Sequence, residues 1–469
     1  MNILEAMADA RFFKPLFKDA ATWEAWRVFL AALFEPGEAG FRLYKEATGR
    51  GKWPGGAAQR AFVIAGRRSG KSFISALVAT YLAAFREWRP HLSPGERAMV
   101  LVIAVDKEQA SIVRHYVGGF LRAVPALRAM LEKETAEGLA LKNRVTIAVK
   151  ACNFRALRGF TVAAAILEEL AFWRSEESAN PDRKVMRALE PALASVPGSL
   201  LLGISTPYSR SGALWDEFRA GFGVEDGPLV WRAPTATMNP TLAASTIERA
   251  LRVDPEAARA EWLAEWREDL AGFVSSEVVE AVTYPGRFEL PKLQGAAYVA
   301  AIDPSGGRND SFTLAVAHRD QKTERAVLDV LREVKPPFKP QGVVEEFSRL
   351  LKDYGLREVV SDRFAGEWVA EAFDKCEVKV VPAELTASEA YLELLPLLMN
   401  GGIELLDHKR LKAQLSGLER RVRSGGKDIV THYQGGHDDC ANAVALALLQ
   451  AKRSAESGFY IGWSRRNVW

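Results

Sequence analysis

Short apolar runs alternate with helix-length stretches from about position 61 onward. "AFVIA" (61–65) ends in a glycine-rich turn and is followed by a helical pattern over 71–85. "AMVLVIAV" (98–105), "RVTIAV" (144–149), "VAAAILEEL" (162–170) and "GSLLLGIST" (198–206) have the same strand character. Another helical stretch covers 107–121. Continuous apolar strands separated by helices predict a mostly parallel sheet covered on both faces. Residues 1–35 read as helical, with Phe12, Phe13, Phe17, Trp23, Trp26 and Phe29 on one stripe. That stripe either packs on the following domain or offers a ring to a nucleotide base.

The pattern breaks over 236–290. "PTATMNPTL" is rich in turn residues, and "DPEAARAEWLAEWREDLAG" has a helix start and a glycine stop. A second α/β region begins near 296. "AAYVAAIDPSGGRNDSFTLAVAHRD" predicts strand, turn and strand, with period-two alternation in "SFTLAVAH". "RAVLDVLREV", "REVVSDRFAG" and "KVVPAE" predict further strands, and "HDDCANAVALAL" (437–448) opens an apolar helix. The expected organisation is a first α/β domain over 1–235 with a helical lead, a linker subdomain over 236–290, a second domain over 291–450, and a tail over 451–469.

Composition adds limits. The 469 residues are enough for two or three domains, and 48% apolar with 26% charged residues is ordinary for a globular chain. Net charge is +3, and four basic residues against one acidic residue in the tail account for all of it. Bulk charge therefore gives no argument for nucleic acid, which must rest on local patches. Cys152, Cys376 and Cys440 form no CxxC pair, which excludes a disulfide framework and fits a reducing compartment. No apolar run at the N-terminus has the length of a signal peptide or membrane span, so no membrane partner is expected.

Two chemistries stand out. "AGRRSGKS" reads as a phosphate-binding loop between a strand and a helix, formed by Ala65, Gly66, Arg67, Arg68, Ser69, Gly70, Lys71 and Ser72. Gly70 would let backbone approach phosphate, Lys71 would reach the β- and γ-phosphates, and Ser72 would ligand Mg²⁺. Ala65 replaces the usual first glycine. Glu168 and Glu169 end a strand, where one acid would hold Mg²⁺ and Glu169 would polarise the attacking water. Glu168 replaces the usual aspartate. Ser205 and Thr206 end the next strand, where they would sense the γ-phosphate. Arg155 and Arg158 are candidate arginine fingers, which contribute ~10³–10⁵ in rate where present.

The second chemistry uses aspartates. Two-metal nucleases hold ions ~4 Å apart with carboxylates from different elements. Asp303 and Asp362 end strands, and Asp438 and Asp439 open a helix, where the dipole favours anions. Asp310 is either a further ligand or a turn residue. His437 either orients water or phosphate or simply caps the helix. "LERRVRSGGKDIVTHY" (418–433) reads as a hairpin with Arg420, Arg421, Arg423 and Lys427 near its tip, a candidate track for a DNA backbone.

Taken in order, "AGRRSGKS", "AILEEL", "GISTP", "AAIDPSGG", "VVSDRFAG" and "HDDCANAVALAL" resemble the large terminase subunit of tailed bacteriophages over roughly residues 20–450. The resemblance implies an N-terminal P-loop (ASCE-type) ATPase with a mostly parallel sheet and a C-terminal RNase H-like nuclease with a mixed sheet. It implies ATP and Mg²⁺ as cofactors, with Mn²⁺ an alternative at the nuclease site. Ser72 and Glu168 would be the metal ligands at the nucleotide, Asp303, Asp362 and Asp438 or Asp439 those of the nuclease site, and Arg158 matches the trans-acting finger better than Arg155. The implied partners are double-stranded DNA, a portal protein, a small terminase subunit and further copies in a pentameric ring. The implied location is the host bacterial cytoplasm, with transient docking on a procapsid portal. Two rival readings fit the motifs: a P-loop translocase or helicase fused to a resolvase-like nuclease, and a non-catalytic prophage assembly factor.

Overall fold

The structure, a computed structural model, describes residues 1–453 apart from 18, 20, 36–38, 136–137, 152–158, 174–180, 363–366, 422–427 and 434–435. The described residues up to Glu268 form one compact unit, and those from Asp269 form a second.

The first unit is built on eight strands: β1 Arg60–Ala65, β2 Ala98–Ala104, β3 Leu131–Glu134, β4 Gly138–Leu141, β5 Val145–Ala151, β6 Thr161–Glu168, β7 Leu200–Ser205 and β8 Leu229–Ala233. Their order is β3-β4-β5-β2-β6-β7-β1-β8. All pairs from β5 to β8 are parallel, and β3 and β4 add an antiparallel edge. This is the expected P-loop α/β fold of ASCE type, with β7 inserted between β1 and β6. The apolar runs are buried on both sides because alternate residues feed two cores. Val63, Val102 and Ile166 join the core that includes Ile74 and Leu77 of the helix Lys71–Phe85. Phe62, Ile64, Leu101 and Leu167 face Val185 and Leu189 of the helix Pro181–Ala194. β3, β4 and β8 were not expected. β3 reads "LEKE" and is mostly exposed, so it has no apolar signature, while β8 is a short edge strand.

The lead segment is less helical than its composition predicts. It contains helices Ile3–Ala8 and Glu24–Phe34, joined through 3₁₀ turns Lys14–Leu16 and Ala21–Trp23. Its aromatics mostly pack inward. Phe12 and Phe13 meet Phe85, Phe17 and Trp23 meet Phe73, and Phe29 meets Trp231.

The second unit holds β9 Leu270–Gly272, β10 Tyr298–Asp303, β11 Phe312–Arg319, β12 Ala326–Val334, β13 Glu358–Ser361, β14 Lys379–Pro382, β15 Ile403–Glu404, β16 Leu418–Arg421 and β17 Ile429–His432. Six of them form a mixed sheet of order β14-β13-β10-β11-β12-β15, the expected RNase H-like arrangement. β10, β11 and β12 are an antiparallel meander, and β13 and β14 run parallel to β10. The helix Asp439–Arg453 presents Cys440, Ala443, Val444, Ala447 and Leu448 to the core containing Ala301, Ala315 and Leu328. Its many alanines allow close approach to the sheet. On the other face Ile302, Leu314 and Val330 meet Phe347 and Leu351 of the helix Pro340–Asp353.

Residues 236–290 do not form a subdomain of their own; the boundary between units divides them. Helices Ala244–Val253 and Pro255–Leu263 belong to the first unit, where Trp266 packs on Trp215 and Phe218. β9 belongs to the second unit because it pairs with β16. The basic hairpin is present as β16 and β17, and Arg420 is paired with Asp428. Arg423 and Lys427 lie outside the described residues, as does the tail from 454. Among the described residues no helix is long and apolar enough to cross a membrane.

Candidate functional sites

In the first unit β1 runs into the loop 66–70, and Gly70 caps the following helix at φ +90°. A side chain at Gly70 would be strained by that backbone and would press on the Trp23 ring at 2.9 Å. A Cβ at Gly66 would collide with the Thr235 hydroxyl and with the Glu261 carbonyl. Three consecutive loop carbonyls are held from outside. Thr235 Oγ1 donates to Arg67 O at 2.9 Å, Asn239 Nδ2 to Arg68 O at 2.7 Å, and Trp26 Nε1 to Ser69 O at 2.6 Å. A trans peptide is planar, so a carbonyl fixed in one direction sends the next residue's N–H the opposite way. The N–H groups of Arg68, Ser69 and Gly70 are thereby held in fixed directions.

Lys71 is buried. Its Nζ donates to Thr206 Oγ1 at 2.7 Å and to the carbonyls of Gly66 and Ala65 at 3.2 and 3.3 Å, and it lies 3.4 Å from Glu169 Oε1. Glu168 and Glu169 are adjacent in sequence but serve different groups. Glu168 accepts from Ser72 Oγ at 3.0 Å and from Ser75 Oγ. Glu169 sits in a left-handed turn at φ +51° and accepts from the Thr206 backbone N–H at 3.2 Å and Ser205 Oγ at 3.3 Å. The turn separates the two carboxylates, and Trp173 Nε1 anchors it by donating to Glu168 O at 2.8 Å. Burial pushes the Glu168 carboxyl up to about 7, and the charge of Glu169 adds to the effect. The hydroxyls of Ser75 and Ser72 and the Lys71 ammonium oppose it. A hydroxyl beside a carboxylate is an oxygen donor set suited to a hard cation such as Mg²⁺. Arg67 pairs with Glu261 at 3.4 Å. Arg155 and Arg158 lie outside the described residues.

In the second unit the pairing of Ile302 with Ser361 brings the next residues, Asp303 and Asp362, to neighbouring strand ends. Asp438 precedes the C-terminal helix and Asp439 begins it. One turn into that helix, Asn442 Nδ2 lies 3.1 Å from Asp303 Oδ2 and 3.1 Å from Asp362 Oδ2. Tyr391 OH donates to Asp438 Oδ2 at 2.9 Å. Asp439 accepts from the Ser311 backbone N–H at 3.3 Å, and Arg410 Nη2 lies 3.9 Å away. Arg410 also meets Glu333 at 2.9 Å, and Ser311 Oγ donates to the same Glu333 at 2.8 Å. A ring of buried polar groups thus supports Asp439.

Burial raises the Asp303 carboxyl well above the usual carboxylate range. The Asn442 amide opposes this, while the charges of Asp439, Asp438 and Asp362 add to it. Burial likewise raises Asp438 and brings Asp439 up to about 6. Clustered carboxylates that resist joint ionisation, with oxygen-only donors, suit divalent cations. Asp310, His437 and Asp439 also converge, with ligand atoms within 4.8 Å of one another.

All the expected aspartates therefore meet around the end of β10. Asn442, Tyr391 and Arg410 were not anticipated, although Asn442 lies in the same stretch as Asp438 and Asp439 at one-turn spacing. Nothing local in the sequence marks Trp26, Thr235 and Asn239 as partners of the loop 66–70.

No family model and no curated protein matches the sequence. Solved structures do. The large terminase of bacteriophage HK97 matches at 17% identity over 84% of this chain and 91% of its own, with a TM-score of 0.39. The Thermus phage P74-26 large terminase ATPase domain matches at 21% identity over 44% of this chain and 88% of its own, with a TM-score of 0.36. The large terminase nuclease of thermophilic phage G20c matches at 21% identity over 35% of this chain and 94% of its own, with a TM-score of 0.30. All three are large terminases or domains of them.

Proposed function

We propose that the chain is a large-terminase-type subunit of a viral DNA-packaging motor. In this reading it hydrolyses ATP to move double-stranded DNA into a procapsid and cuts concatemeric DNA with a metal-dependent nuclease. The observation that carries the reading is that one chain holds both a phosphate loop facing the pair Glu168–Glu169 and a separate aspartate cluster joined by Asn442.

The first unit would bind the triphosphate on the oriented N–H groups of the loop. Lys71 would exchange its contact with Glu169 for the β- and γ-phosphates. Glu169, freed of its ion pair, would take a proton from the water attacking the γ-phosphorus. Thr206 touches Lys71 through its side chain and Glu169 through its backbone, and in this reading it would register the loss of phosphate. Arg158 would serve as the arginine finger. In the second unit Asp303, Asp362, Asp438 and Asp439 would hold divalent ions, and His437 would orient the scissile phosphate. Bound magnesium supplies charge neutralisation at the triphosphate and activation of the attacking and leaving oxygens at the phosphodiester; Mn²⁺ would serve in its place at the nuclease site.

The partners in this reading are duplex DNA, a portal protein, a small terminase subunit and further copies of the chain in a pentameric ring. It would work in the host bacterial cytoplasm, transiently on the procapsid portal. The test is DNA packaging with procapsids that carry their portal, read as DNA protected from added nuclease. Protection with wild-type chain and ATP, lost in Lys71→Ala and retained on pre-cut linear DNA in Asp303→Ala, is the expected result. ATP hydrolysis without protection in the wild type contradicts the motor reading.

A further inference from the structure

Asn442 sits at the centre of the aspartate cluster but is not itself an acid. Its backbone is fixed by the bond from its N–H to Asp438 O at 2.8 Å, in the first turn of the helix Asp439–Arg453. Its side chain is buried, and its amide nitrogen is equidistant from one oxygen of Asp303 and one of Asp362. A primary amide nitrogen carries two N–H groups, so it can give one to each carboxylate. Turned the other way, the amide would set an acceptor against two acceptors. In the observed orientation Oδ1 is buried and makes no hydrogen bond. A residue chosen only for packing would avoid an unpaired buried acceptor, and Asn is a weaker helix former than the flanking Ala441 and Ala443.

Resting on the nuclease reading above, we infer that Asn442 is a positioning residue for divalent-cation binding. Its two N–H groups hold the Asp303 and Asp362 carboxylates side by side against their mutual repulsion. The two groups are thus presented together to a cation instead of being pushed apart. Partners that orient metal-binding side chains in this way typically change affinity by ~10–100-fold when removed.

The test is a calorimetric titration of the full chain with Mn²⁺, comparing wild type, Asn442→Ala and Asn442→Leu. Leucine keeps the branched outline of asparagine, at a somewhat larger volume, without its N–H groups, and alanine removes the bulk as well, so the two variants together separate packing from donation. ATP hydrolysis, which belongs to the other unit, and cooperative melting in EDTA report that each variant is folded. Both variants are expected to bind Mn²⁺ at least tenfold more weakly, with the Mn²⁺ concentration for half-maximal DNA cleavage rising in parallel. Cleavage at saturating Mn²⁺ should fall less than affinity does. Wild-type affinity in folded Asn442→Leu overturns the inference. If wild type itself shows no Mn²⁺ binding that Asp303→Ala removes, the nuclease reading fails first and this inference falls with it.

Discussion

The indole N–H of Trp26 donates to the backbone carbonyl of Ser69, across 43 residues of sequence and at 2.6 Å. A helix that precedes the sheet thereby fixes one peptide of the loop 66–70, while Thr235 and Asn239 fix the two before it. The loop is held in shape by side chains distant from it in sequence. Removing one such hydrogen bond is worth about 0.5–1.5 kcal/mol. Asn239→Ala, the most exposed of these contacts, should therefore raise the KM for ATP roughly 3–10-fold with a smaller change in kcat. Steady-state hydrolysis separates the two. An unchanged KM would mean that the anion orders the loop unaided.

Thr206 should behave differently. Its hydroxyl accepts from Lys71 and its N–H donates to Glu169, so Thr206→Val breaks the side-chain link and leaves the backbone link. Hydrolysis is expected to fall in kcat, with ATP affinity changed by less than threefold, about the effect of one weak hydrogen bond. Equilibrium binding of a fluorescent nucleotide alongside turnover checks this. A loss confined to binding would assign the hydroxyl to ground-state contact alone.

Glu168 gives a pH dependence in the metal- and nucleotide-free chain. Its folded carboxyl titrates at about 7, above its ordinary value of 4.5. The folded state then holds more protons than the unfolded state, and stability falls as pH rises between these values. Glu168→Gln removes that penalty. Relative to wild type it should be more stable at pH 8, by about 3 kcal/mol at most, with the difference gone near pH 4. Chemical unfolding at the two pH values measures it. A variant less stable than wild type at pH 8 would mean that the ionised carboxylate is the form its two serines favour.

Arg410 and Glu333 form an ion pair close to Asp439, with both side chains almost entirely buried. Removing one member of a buried pair leaves an uncompensated charge and costs about 3–5 kcal/mol. Arg410→Met should destabilise the second unit by about that amount, and Arg410→Met with Glu333→Gln should recover much of it. Urea unfolding of the three proteins decides this. Failure of the double variant to recover would place the loss in packing instead of charge.

The sheets were legible because buried parallel strands read as apolar runs, and the acids at the ends of β6 and β10 were legible because they interrupt such runs. Asp303 and Asp362 were legible as acids at strand ends, and the parallel pairing of β10 with β13 is what sets them side by side. Asn442 carries no signal in the sequence, because an amide in a helix has no chemistry until its two carboxylates are placed in space. Thr235 and Asn239 lie in a turn-rich stretch that reads as a connection, and their role comes from a fold-back of 168 and 171 residues. β3 was missed because "LEKE" is held by pairing with β4 and not by burial. The linker expected over 236–290 was divided because Trp266 and β9 bury themselves against different cores.

The most direct measurement is cleavage of supercoiled plasmid in Mn²⁺, with ATP hydrolysis assayed on the same preparations of wild type, Asp303→Ala and Lys71→Ala. Two separate sites on one chain predict that wild type does both, Asp303→Ala hydrolyses ATP without cutting, and Lys71→Ala cuts without hydrolysing. Plasmid cleavage by Asp303→Ala at the wild-type rate would contradict the account, because the cluster around Asn442 could not then be the nuclease centre.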